Sequence, residues 1–144
     1  MKLTKFDRDF VNKLIRQKEG KSLDFKQKIT SKEKIAKTLV AMANTDGGLL
    51  VIGLSDKKKV IGIDPDEEQY MVAAANEEHC IPRVSISFHT VKIMDESDSL
   101  DSDQEEKYLL LVEVMKTLGP EIHWVSKAGE KKVFIRKDDQ TLAV

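Results

Sequence analysis

The chain has 144 residues, of which 40% are hydrophobic and 34% charged, with 24 basic and 25 acidic side chains. That length suits one domain with a real core; no apolar run approaches the roughly 20 residues that span a bilayer, and "MKLTKFDRDF" lacks the apolar stretch of a signal peptide. A single cysteine, Cys80, excludes an internal disulfide, and with no ligand cluster around it reads as a small buried hydrophobe. A cytoplasmic protein with no membrane association is expected.

Charge is unevenly placed. Residues 1–60 carry a net of +8, residues 61–115 a net of −11, and residues 116–144 a net of +2. A basic half attracts polyanions even when the whole molecule is neutral, although lysines also serve simply to solvate helices.

Phe6, Phe10, Val11, Leu14 and Ile15 recur at helical spacing, so residues 5–18 read as an amphipathic helix with Gly20 as its stop. "KSLDFK" is a short extended segment, Leu23 and Phe25 on one side and Asp24 on the other. "TSKEKIAKTLVAMANT" is a second helix, opened by a Thr30–Glu33 capping box and striped by Ile35, Leu39, Met42 and Ala43. "LLVIGL" is a buried strand, which "SDKKK" turns back into "VIGI" as a hairpin.

Asp64, Pro65 and Glu67 start a third helix, expected from Pro65 to about His79, with Pro82 preventing continuation. "VSISFHTVKIM" alternates, placing Val84, Ile86, Phe88 and Thr90 on one face of a half-buried strand and His89 towards solvent. An acidic exposed loop is expected at 95–106, then the buried strand "YLLLVEVM". "IHWVSKAGEKKVFIRK" closes the chain as a hairpin turning at "AGEK". Hairpins with few crossover helices predict an α+β fold: one domain over 1–144, a mixed, mostly antiparallel sheet and flanking helices.

Chemistry-bearing patterns are sparse. Gly47-Gly48 follows a helix and opens a strand, the reverse of a phosphate loop, so a left-handed helix cap is the expectation. Glu19, Asp24 and Asp56 each lie at the end of an element. If the strands bearing them are neighbours, they would converge on a divalent cation; otherwise they are caps or solvated charges. His79, His89 and His123 show no ligand spacing. Trp124, with Tyr108 or Phe134, would stack a base or belong to the core.

"EGKSLDFK", "KTLVAMANTDGGLLVIGLSDKKKVIGI" and "GPEIHWVSK…KKVFIRKDDQTLA" together resemble the Schlafen-type AlbA-like domain, formerly called divergent AAA, over roughly residues 16–143. The resemblance implies nucleic-acid binding, to DNA or RNA, and links such domains to transcriptional regulators. Some Schlafen proteins are metal-dependent endoribonucleases with three carboxylates, whose positions match Glu19, Asp24 and Asp56 here; Mg or Mn would then be the cofactor. Asp24 stands where Glu is usual, and "LSD" replaces an acidic pair. The Schlafen core sets two such lobes across a basic groove, so a homodimer is expected from this single lobe. Phosphate contacts are assigned to Lys21, Lys26, Lys28, Lys32, Lys57, Lys58 and Lys59, with Arg136 on the last strand. A protein-interaction module using the acidic segment is the other alternative.

Overall fold

The computed structural model describes residues 8–94 and 106–144. Its central feature is a four-stranded sheet built from β1 (Leu23–Lys26), β2 (Gly48–Ile52), β4 (Ile86–Met94) and β5 (Glu106–Val114), in the order β1-β2-β5-β4. β1 and β2 run parallel, whereas β5 is antiparallel to both of its neighbours. The α+β class and the mixed, mostly antiparallel sheet stand as expected.

Both faces of this sheet are covered, which explains the unbroken apolar runs. α2 (Lys32–Asn44) and α3 (Pro65–His79) pack on one face, where Leu39 and Met42 meet Leu50, Ile52, Leu110 and Val112. α1 (Arg8–Ile15) contributes Val11 and Leu14 to the other, with Leu23, Val51, Val91, Leu109 and Leu111. Burying a leucine or methionine fully stabilises by about 1.5–3 kcal/mol, so the alternation of Leu49 to Ile52 between two cores pins β2 in register.

Several local expectations shift. Helix α1 ends at Ile15, and Gly20 does not cap it: the Gly20 N–H bonds the Leu23 carbonyl at 2.9 Å. Residues 5–7 of that expected helix lie outside the described residues. α2 is capped by Ser31, whose Oγ accepts the Lys34 N–H at 3.2 Å, so the cap lies one residue after the expected Thr30. The "SDKKK" turn closes tightly, but only Leu54 and Val60 form a bridge, and "VIGI" makes no strand. Thr90 shares a face with Ile86 and Phe88 yet is exposed, and His89 is only half-exposed, 3.6 Å from Glu113. Residues 95–105 of the acidic segment lie outside the described residues, and Glu106 already belongs to β5.

α3 runs from Pro65 to His79 as read, with the Asp64 carboxylate accepting the Asp66 and Glu67 N–H groups. After it, β3 (Cys80–Ile81), β6 (His123–Val125) and β7 (Lys131–Lys132) form a small second sheet. The closing hairpin resolves into two: β6 with β7, then β8 (Phe134–Lys137) with β9 (Gln140–Ala143). Asp138, at positive φ, makes the unexpected second turn.

"ANTDGG" joins these layers. Thr45 and Gly47 both donate their N–H to the Met42 carbonyl, Gly47 with φ of 73°, which ends α2 as the expected left-handed cap. The Asn44 amide donates to the Ile122 and Phe134 carbonyls and accepts the Ile122 N–H. Thr45 Oγ1 accepts the Arg136 N–H at 2.9 Å. One loop therefore holds the C-terminal strands against the end of α2.

Candidate nucleic-acid interface

The parallel pairing of β1 and β2 brings their C-terminal ends together. Gly53 and Leu54 both donate their N–H groups to the Lys26 carbonyl, at 2.8 and 3.2 Å. Lys26 and Lys28 on the chain leaving β1 therefore share one end of the sheet with Lys57, Lys58 and Lys59 in the turn leaving β2. Spacing alone does not show this juxtaposition, because residues 26 and 57 are 31 positions apart.

The lysines differ in what occupies their charge. Lys21, Lys28, Lys57 and Lys59 are exposed and make no ion pair among the described residues. Lys26 lies 3.2 Å from Asp24 Oδ2, with its side chain 41% exposed. Lys58 donates to the Gln17 carbonyl at 2.7 Å and lies over the Phe25 ring, so it ties the turn to the segment after α1. Lys32 pairs with Glu78 at 2.9 Å, and this pair raises the lysine pKa and lowers that of the glutamate. Lys21 precedes β1 and stands at the other end of that short strand.

Arg136 is a correction. It is buried, and its guanidinium donates to the Gly20 carbonyl at 2.7 Å and to Thr141 Oγ1 at 3.1 Å, with Asp24 Oδ1 at 3.6 Å. An arginine enclosed in the interior on such partners does not reach a phosphate at the surface. Alternation along β8 turns Arg136 and Phe134 inwards, while Ile135 and Lys137 face out.

Of the three carboxylates, Glu19 and Asp24 come together. Phe25 N–H donates to Glu19 Oε2 at 3.3 Å. Partial shielding from solvent, then hydrogen bonding with Asp24, raises the Glu19 pKa above its ordinary value, against the opposing pull of the Phe25 N–H and Lys26. Asp56 is exposed in the turn after β2, and no three His, Cys, Asp or Glu side chains among the described residues gather as a metal-holding group. Asp24 already faces two cations, so these residues do not fit a three-carboxylate divalent-metal site, and no metal-dependent step follows from them.

Trp124 and Phe134 are structural as well, whereas Tyr108 is half-buried and donates its hydroxyl to Glu106. Trp124 is 4% exposed, donates its Nε1–H to the Glu33 carbonyl at 2.9 Å and meets Phe134 edge-on. Two residues that the sequence did not single out, Lys34 and Thr38, line a cleft with Lys26 and Lys28 on the flank of α2. Their i, i+4 spacing was the only available signal, and it is common to every helix.

A small α+β domain with a lysine-rich sheet end and a buried Asp–Arg tie is the class that these features define. The Schlafen, AlbA_2 family model matches residues 19–144, and the chain belongs to that family. No curated protein gives a significant match. Among solved structures, the chain is similar to the DIP2311 protein from Corynebacterium diphtheriae, with a TM-score of 0.51 and 18% identity. That match covers 86% of this chain and 22% of the other, so the chain spans about a fifth of the length of that protein. The likeness is one of fold. No helix among the described residues is long and apolar enough to cross a membrane.

Proposed function

We propose that the domain binds nucleic acid, DNA or RNA, through the lysine-rich end of its central sheet. The observation that carries this reading is the convergence of Lys26, Lys28, Lys57 and Lys59 where β1 and β2 end, in a family whose members include nucleic-acid-binding domains. Lys21 extends the basic surface along β1. Contacts of this kind give affinity with little sequence readout, and the released counterions make binding fall steeply with salt.

The test is a binding series over salt with single-stranded RNA and duplex DNA. Four or five phosphate contacts predict a log–log slope of about −3 for single strands and about −4 for duplex. The triple variant Lys28→Gln/Lys57→Gln/Lys59→Gln should lower affinity for every sequence and flatten the slope by about two to three. Absence of binding by the wild-type domain at low salt would refute the reading.

A role within a transcriptional regulator, and a homodimer in which two lobes face each other across a basic groove, follow from the same family reading. Sedimentation at micromolar concentration tests the dimer: a monomer there, with nucleic-acid binding intact, would remove the groove and leave the single-lobe surface.

A further inference from the structure

A basic cleft lies beside that sheet end. It measures about 250 Å³ and runs along the first two turns of α2, walled by Lys26, Lys28, Ser31, Lys34 and Thr38 over an apolar floor. None of its lining residues is acidic. Its volume is below the roughly 300 Å³ at which pockets begin to enclose whole drug-sized ligands, so it suits one group of a larger molecule.

Three observations specify that group. Lys28 and Lys34 make no ion pair among the described residues, so two full positive charges border the cleft. The N-terminal end of α2 adds its partial positive charge, a setting that favours anions. Thr38 is 7% exposed and lines the cleft, yet its hydroxyl has no hydrogen-bond partner among the described residues. The residue is buried but its Oγ1 opens to the cleft, where it is placed to donate to an acceptor seated there.

We propose that this cleft seats one phosphate group of a bound nucleic-acid strand, with Lys28 and Lys34 balancing its charge and Thr38 Oγ1–H donating to a phosphate oxygen. The proposal rests on the nucleic-acid reading above and adds a fixed anchor point to an otherwise diffuse surface. The strand is thereby registered on the domain where its neighbouring phosphates reach Lys57 and Lys59.

Thr38→Val removes the hydroxyl at nearly constant shape and charge. It should weaken binding to a short single-stranded RNA about fivefold without changing the salt slope, because no counterion is involved. Thr38→Ser should restore affinity. Lys34→Gln should weaken binding more than Lys57→Gln, because Lys34 borders the seated phosphate together with Lys28 and the Thr38 hydroxyl whereas Lys57 lies on the open turn after β2. If Thr38→Val binds RNA as tightly as wild type, and Lys34→Gln costs no more than Lys57→Gln, the anchor is disproved while the basic surface stands.

Should the wild-type domain bind no RNA, the broader reading fails, and titration with inorganic phosphate then decides the cleft by itself. Saturable backbone amide shifts at Ser31, Lys34 and Thr38, lost in Thr38→Val, would sustain the phosphate site. Their absence would overturn it.

Discussion

Arg136 Nη2 lies 3.6 Å from Asp24 Oδ1, with both side chains almost fully buried, and this contact ties the last hairpin of the chain to its first described strand. The same guanidinium reaches the Gly20 carbonyl and Thr141. Asp24 Oδ2 and Arg136 Nε have no hydrogen-bond partner among the described residues, so the pair is enclosed but incompletely satisfied.

Breaking such a pair from one side strands a buried charge. Arg136→Met should destabilise the fold by about 3 kcal/mol, the lower end of the usual range because Lys26 still faces Asp24. The double replacement Asp24→Asn/Arg136→Met should recover much of that loss. Urea unfolding of the three variants measures both, and purely additive losses would show that the two side chains are not energetically joined.

Gly48 allows a close approach of two chain segments. A Cβ there would fall 2.6 Å from the Ser22 carbonyl oxygen, and the backbone φ is 157°. Gly47 has φ of 73°, and its Cβ would fall 2.7 Å from the Val114 carbonyl oxygen. Either glycine-to-alanine change should cost about 2–4 kcal/mol through backbone strain and overpacking. Gly119→Ala, where a Cβ meets nothing within 4 Å, is the control and should leave the melting temperature nearly unchanged.

Glu19 sets a pH dependence whose sign follows from its raised pKa. A carboxyl that holds its proton more tightly in the folded chain contributes its full stabilisation below the unfolded pKa and loses it as pH rises through the folded value. Glu19→Gln cannot ionise. Its stability relative to wild type should therefore increase as pH rises above the ordinary glutamate range. Thermal melts from acid to neutral pH check this, and a constant difference would mean that Glu19 titrates alike in both states.

Cys80 is 2% exposed, and burial pushes its thiol pKa up to about 12. Only about one thiol in ten thousand would then be ionised at pH 8, in a position that reagents do not reach. Labelling by a thiol-specific reagent should be negligible in the native protein and complete after unfolding. Rapid native labelling would place Cys80 outside the core.

Much of the architecture was legible because short-range physics encodes it. Asp64-Pro65 supplies a cap and a preset φ, so α3 could be bounded correctly from its sequence. "LLVIGL" and "YLLLVEVM" are apolar on both faces because helices cover both faces, and unbroken hydrophobicity records that directly. The cap of α2 was misplaced by one position because Thr30 and Ser31 carry the same chemistry, and only backbone geometry chooses between them. The second hairpin was missed because Asp138 adopts a positive φ that few residues signal.

The candidate site divides along a similar line. Composition and order alone establish a basic first half, an α+β domain and the "ANTDGG" motif that marks the family. They do not establish which charges are free, since a lysine at the surface and an arginine in the interior look alike in one dimension. Chain packing put Arg136 against Asp24, tied Lys58 to the Gln17 carbonyl, and left Lys28, Lys34, Lys57 and Lys59 unpaired around the ends of β1 and β2. The physical reason is the cost of burial: a charge taken out of water must find a partner, and which partner is near is a property of strands brought together from distant parts of the chain.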